Sequence, residues 1–142
     1  MSEWTADRMH ELGSRHAQLE ADCDVEGTMA TVVPNPVYEF HPAGVRLEGR
    51  DQVRRYYEHL LTHFVPSTRG VRLLEEWASA ASIVQEYEIT VEVAGDLEAH
   101  RVIGILFAEG ELLGGERIFS SERCARLMLG EALFAEGSSS AV

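Results

Sequence analysis

The apolar positions of this chain follow two periods in succession. Up to about residue 64 they recur every three or four residues, as on one face of a helix. From about residue 71 to residue 120 they alternate, as on one face of a strand. Met9, Leu12, Gly13, His16 and Leu19 form a helical stripe with Thr5 placed to cap it. Asp24 can cap a second, short helix carrying Val25 and Met29, which Pro34 and Pro36 end because proline has no N–H to donate. Val37 to Phe40 and Val45 to Glu48 read as a short hairpin around the turn His41-Pro42-Ala43-Gly44. The third helix has the clearest pattern: with Asp51 as cap, Val53, Tyr56, Tyr57, Leu60, Leu61 and Phe64 fall on one face.

After Pro66 the alternating pattern predicts strands over about Val71–Ala80, Ile83–Val93, Glu98–Ala108 and Leu112–Ser120. Gly95-Asp96 and Glu109-Gly110 supply turn chemistry for antiparallel hairpins. Val102 to Phe107 is apolar on both faces apart from Gly104, which suits a strand in mid-sheet. The stretch from Ser82 to Val93 has two contrasting surfaces. Ile83, Gln85, Tyr87, Ile89, Val91 and Val93 make one, and Val84, Glu86, Glu88, Thr90 and Glu92 the other. A last helix begins at Ser121, turns Cys124, Leu127 and Met128 inward and ends at Gly130, and residues 137–142 read as a flexible tail. Helices first and a meander afterwards predict one α+β domain over residues 1–136, a curved antiparallel sheet wrapped around helices with a cavity at the mouth of the cone.

Composition narrows the partners. At 142 residues, with 45% hydrophobic and 25% charged, the chain is globular and long enough for a core. A net charge of −12 with no basic cluster argues against nucleic acid. No apolar run spans a bilayer and no basic-then-apolar leader opens the sequence, so no membrane partner and a cytoplasmic location are expected. Cys23 and Cys124 stand far apart, which suits two free thiols in a reducing compartment.

Several local sequences, in this order, resemble the SnoaL-like (polyketide cyclase-like) group of the nuclear transport factor 2-like superfamily. They are the acidic break Glu20-Ala-Asp-Cys-Asp24, the hairpin Asn35-Pro-Val-Tyr-Glu-Phe40 leading to Leu47-Glu-Gly49 and Val53-Arg-Arg-Tyr-Tyr57, and Gly114-Gly-Glu-Arg-Ile-Phe119 followed by Ala125-Arg-Leu-Met-Leu-Gly130. The resemblance covers nearly the whole chain. It implies a cone-shaped α+β barrel, commonly a homodimer through the sheet, in a family of cyclases, isomerases, dehydratases, hydrolases and non-enzymes. Fold does not choose among these. The departures bear on chemistry. Where the family's isomerases carry a Tyr on the first helix, an Asp in the first hairpin and an Asp on a central strand, the alignment finds Ser14, Phe40 or His41, and Gly104. The cyclase Asp is replaced by Ser121. One isomerase pocket tyrosine is matched by Tyr57.

The resemblance places Val84, Glu86 and Glu88 on the concave face. There desolvation would raise a carboxyl group's pKa and make Glu86 a usable base or acid, with Glu88 beside it. The plainer alternative is a solvated outer face with Tyr87, Ile89 and Val91 inward. His16 is either a proton shuttle in the cavity or a satisfied core histidine. His41 is either near the isomerase base position or merely exposed on its turn. Tyr38 and Tyr57 are expected to point inward, to donate to a carbonyl or enolate oxygen or to pack in the core. Arg117, on one strand face with Leu113 and Phe119, either holds an anionic group or forms a surface ion pair. Trp77 is either cavity wall or dimer contact. His59 and His63 form an H-x-x-x-H pair that could hold a metal, but they flank the apolar stripe with no Glu where a metalloprotease motif needs it, so solvated histidines and no metal or cofactor are expected. The expected function is binding of a small hydrophobic or polyketide-like molecule, with Glu86 and His16 as acid/base groups if there is catalysis. The alternative is a non-catalytic ligand-binding or protein-interaction domain.

Overall fold

The computed structural model describes residues 3–140, the side chain of residue 140 excepted. Helix α1 (Ala6–Ala21) starts where the Thr5 hydroxyl accepts from the Arg8 N–H, and it buries Met9, Leu12, Gly13 and His16. Asp24 caps α2 (Val25–Ala30) by accepting from the Gly27 N–H. Strand β1 (Val32–His41) then runs through both prolines, longer than the sequence pattern predicts. Its pairing is irregular between Val32 and Val37, where the prolines have no N–H to give. The Arg50 guanidinium donates to the carbonyls of Met29, Val32 and Val33 around that irregular stretch.

Strand β2 (Val45–Glu48) closes the hairpin, and α3 (Arg50–His59) follows, with Gly49 rather than Asp51 at the cap position. The helix continues as a π-helical turn over Leu60–Phe64, which keeps Leu60, Leu61 and Phe64 on the buried side. The remaining strands are β3 (Thr68–Ala78), β4 (Ser82–Val93), β5 (Asp96–Glu109) and β6 (Leu112–Phe119). Helix α4 (Glu122–Leu129), capped by Ser121, and α5 (Glu131–Ser140) complete the described chain. α5 runs through residues 137–140, where composition suggests a tail. Gly137 explains this: a Cβ there would collide with Val45 and Leu47, so the glycine lets the helix lie on β2. Residues 141–142 of that predicted tail lie outside the described residues.

The six strands lie in the order β2-β1-β6-β5-β4-β3. All neighbours are antiparallel except β1 and β6, which pair in parallel, so the sheet is mixed rather than wholly antiparallel. The sheet curves around the helices without closing, as an α+β cone. The larger core cluster joins Tyr38, Phe40, Val53, Tyr57, Leu61 and their neighbours beneath α3 and α4. The smaller one joins Met9, Leu12, Val32, Ile83, Leu106 and Leu113 beneath α1. Gly13 brings α1 close to the sheet, since a Cβ there would press on Ile83.

One irregularity decides which side chains face inward on β6. Ala108 pairs with Leu113 and Phe107 with Gly115, so Gly114 is an extra residue in the ladder. Such a bulge shifts the alternation by one. Leu113 is buried before it, and Glu116 and Ile118 face inward after it. Gly115 has φ 153°, and a Cβ there would run into the Val37 carbonyl, so only glycine allows β1 and β6 to approach at this point.

Candidate active site

A cavity of about 180 Å³ opens between the C-terminal half of α1, the end of α3 and the concave face of β3 to β6. Its wall is largely apolar, with Leu60, Phe64, Val102, Leu106 and Ile118 among the contributors. Its polar side chains are His16, Glu20, Tyr56, Thr68, Gln85, Tyr87 and Glu116, and among the described residues no arginine lines it.

Strand β4 supplies the cavity from its odd positions. Ile83 and Val91 are buried, and Gln85, Tyr87 and Ile89 line the space. The more apolar of the two faces is therefore inside, as burial favours. Glu86 and Glu88, placed inward by the resemblance, instead lie on the convex face. Arg101 donates to Glu86 at 2.9 Å and Arg72 to Glu88 at 3.1 Å. They are a surface ion-pair network and have no access to the cavity wall.

Arg117 is also outside, because the Gly114 bulge gives its expected place to Glu116; its guanidinium sits 5.1 Å from the centre of the Phe107 ring. Trp77 is 55% exposed on the convex side of β3, opposite Val84. His41 stacks on Phe119 with ring centres 5.2 Å apart and borders Glu39, away from the cavity. The His59 and His63 rings lie 4.9 Å apart, and among the described residues no group of three or more His, Cys, Asp or Glu gathers as metal ligands do.

His16 lines the cavity and is 1% exposed. Its Nδ1 lies 2.7 Å from the Thr31 hydroxyl, which itself donates to the Thr28 carbonyl at 2.7 Å. The single Thr31 hydrogen is thus committed, so Nδ1 must carry a hydrogen and donate. In the neutral ring Nε2 is then an acceptor, facing the Tyr57 hydroxyl at 2.9 Å, and Tyr57 in turn meets Tyr38 at 2.5 Å. With the ring neutral, Tyr38 donates to Tyr57, Tyr57 to His16 and His16 to Thr31; a proton on Nε2 would turn the two tyrosine bonds round. Tyr38 and Tyr57, both fully buried, are not on the cavity wall. They hold the imidazole from behind. Burial pushes both phenols well above the usual tyrosine range, so they stay protonated as this chain of bonds requires.

Glu20, one helical turn after His16, brings its Oε1 within 2.6 Å of Nε2 and borders the cavity. A proton taken up at Nε2 converts this contact into a charge-assisted pair. Opposite, Glu116 reaches over Gly104, where a side chain would fill the carboxyl position. Among the described residues neither Glu116 oxygen has a hydrogen-bond partner. Burial, and then the nearby charge of Glu20, push its carboxyl well above the usual range. A carboxyl so raised keeps its proton to higher pH than an exposed one, and in that form it can donate. Tyr87, pushed up to about 12 by burial, and Tyr56, raised well above the usual tyrosine range by the same cause, add hydroxyl donors to the wall.

The apolar pattern of the sequence does not point to Glu20 or Glu116. Glu20 stands at i+4 from His16, which was a usable signal; Glu116 sits two residues after a Gly-Gly pair whose bulge the alternation does not announce. At Gly104, where the resemblance aligns an isomerase Asp, the strand carries no side chain, and the Glu116 carboxyl from the neighbouring strand occupies the space over it.

No protein-family model matches the sequence, and no curated protein matches it significantly. Solved structures do match in shape. An NTF2-like protein from Cytophaga hutchinsonii superposes with TM-score 0.67 at 13% identity, over 80% of this chain and 99% of that one. Bal32a, from a soil-derived mobile gene cassette, gives 0.70 at 14%, over 84% and 94%. A steroid delta-isomerase from Pseudomonas aeruginosa gives 0.67 at 17%, over 94% and 93%. The chain has the NTF2-like α+β fold. Among the described residues no helix is long and apolar enough to cross a membrane.

Proposed function

We propose that the cavity binds a small, uncharged organic molecule and that its walls move a proton on it without a cofactor. The observation that carries this reading is the meeting of two acid/base groups in one apolar cavity: the close His16–Glu20 contact and the Glu116 carboxyl, which burial holds well above the usual range. Groups whose environments push their protonation apart are what acid/base chemistry at neutral pH needs.

A C–H bond beside a ligand carbonyl breaks, and its proton passes to the Glu20 carboxylate or to His16 Nε2. The bonding pair becomes a C=C bond, and the carbonyl π pair moves to oxygen, which takes a hydrogen bond or proton from Glu116. Return of a proton to another carbon gives isomerisation, and loss of a neighbouring hydroxyl gives dehydration. Tyr38 and Tyr57 act through His16, which they position. Size bounds the ligand: a cavity of about 150 Å³ takes a benzene ring, so the present volume suits one ring better than the fused rings of a polyketide.

The proposal also has the chain acting as a homodimer through the convex sheet face, in the cytoplasm. Support comes from Trp77 and Phe119, both exposed on that face, and from two free thiols.

The test is exchange of the α-hydrogens of 2-cyclohexen-1-one in D₂O, followed by proton NMR. Wild-type protein should accelerate exchange over buffer, and His16→Asn together with Glu20→Gln should return it to background. Binding of the enone without acceleration would replace this reading with a non-catalytic ligand-binding domain.

A further inference from the structure

Gln85 is a polar side chain at the heart of the cavity, and the proton transfer above gives it no part. It is 5% exposed. Its Nε2 donates to Glu76 Oε2 at 2.8 Å, and Glu76 Oε1 meets His10 Nε2 at 2.8 Å on the outside of the molecule. A carboxylate only accepts, so Glu76 dictates which end of the Gln85 amide it faces. The amide oxygen is thereby fixed as the other end. Among the described residues that oxygen has no hydrogen-bond partner. Only Trp4 Nε1 and Thr28 Oγ1, among the described residues, are side-chain atoms both fully buried and unpaired, so the Gln85 oxygen opens onto the cavity it lines, where a donor from the cavity contents can reach it.

The position of Gln85 defines that partner. In the ladder between β4 and β5 Gln85 pairs with Gly104, about 5 Å away across the strands. The space over Gly104 is where the Glu116 carboxyl lies. A fixed acceptor and a carboxyl group thus stand side by side, without bonding each other. A ligand carbonyl could satisfy only the carboxyl. An anion would meet the Gln85 oxygen and Glu20 with no arginine on the wall to offset them. A hydroxyl satisfies both, since it donates one hydrogen bond and accepts another. The Tyr56 and Tyr87 hydroxyls can rotate to either role and do not impose one.

We infer that Gln85 and Glu116 together form a hydroxyl-recognition site, and that the cavity selects an uncharged single-ring alcohol, phenol or enol over its ether, halide or carboxylate counterpart. This rests on the reading of the cavity as a ligand site. It deepens it, because an enol formed from a bound ketone would gain the Gln85 contact that the ketone lacks, favouring the product of proton abstraction.

Phenol and fluorobenzene, nearly equal in size, test this by ligand-observed NMR titration. Wild-type protein should bind phenol at least about tenfold more tightly than fluorobenzene, although fluorobenzene is the more hydrophobic. Gln85→Met should bring the ratio within about twofold while fluorobenzene still binds. Should that variant fail to fold, Glu76→Gln makes the same test from outside the wall: it frees the amide to turn, and the ratio should fall. Equal binding of the two probes by wild type, or an unchanged ratio in the variants, overturns the hydroxyl site and leaves the ligand cavity standing. Binding of neither probe overturns both.

Discussion

The carboxyl group of Glu116, carried by β6, occupies the space over Gly104 on β5. Had residue 104 a side chain, the carboxyl could not lie there. The vacancy and the acid define one position, and the bulge at Gly114 is what turns Glu116 toward it. Gly104→Ala should therefore displace the carboxyl or strain the sheet, at a cost of about 1–3 kcal/mol. Urea denaturation would measure the loss, and the enone exchange reaction should slow in parallel.

Glu116 also gives the protein a pH dependence of known sign. Its carboxyl is raised in the folded state by burial and by Glu20. Between the unfolded value and the raised one, the folded state holds a proton that the unfolded state has released, so stability falls as pH rises through that window. The slope reaches at most about 1.4 kcal/mol per pH unit for one proton. Glu116→Gln should remove this slope. Melting curves from pH 4 to pH 9 should show the variant gaining on wild type as pH rises, and a constant difference would contradict the assignment.

Tyr57 holds two buried groups, accepting from Tyr38 and donating to His16. Tyr57→Phe keeps the ring and removes both bonds, leaving His16 Nε2 with Glu20 as its remaining neighbour. A loss of about 1–3 kcal/mol is expected in denaturant titrations. The imidazole loses its directional restraint as well, so the His16 ring resonances should shift or broaden at fixed pH while those of the exposed His10 stay.

On the convex face the expectation is the opposite. Glu86→Gln and Glu88→Gln each break exposed arginine pairs worth about 0–1 kcal/mol. Both variants should keep wild-type exchange activity. A large loss of activity in Glu86→Gln, with unchanged stability, would put the site on the wrong side of the sheet.

The proposed dimer is tested at Trp77, 55% exposed in the single chain. Trp77→Glu places a charge in the middle of that surface. Sedimentation should show a dimeric wild type and a monomeric variant; a wild-type monomer at high concentration would exclude the assembly.

Much of this architecture is legible in the residue pattern. The stripe Met9, Leu12, Gly13, His16 is buried as spaced, Thr5, Asp24 and Ser121 cap as their side chains allow, and the alternation from Ser82 to Val93 is one long strand. The inward orientation of Ile83, Tyr87, Ile89 and Val91 follows from their apolarity, which weighed more than alignment with distant relatives. Local pattern carries these features because each depends on contacts a few residues apart or on the hydrophobicity of one face.

What the tertiary structure alone decided is the site. Whether Glu116 or Arg117 faces inward depends on one bulged glycine in the pairing of β5 and β6, and a one-residue shift exchanges the two faces of a strand. Whether Gln85 presents oxygen or nitrogen depends on Glu76, nine residues away in sequence, and on His10 beyond it. The acidity of Glu116 depends on burial and on Glu20 from a helix at the other end of the chain. Periodicity sets which face of an element is apolar. Register, desolvation and long-range hydrogen bonds set which polar group stands in the cavity and in what protonation state, and these exist only once the elements have met.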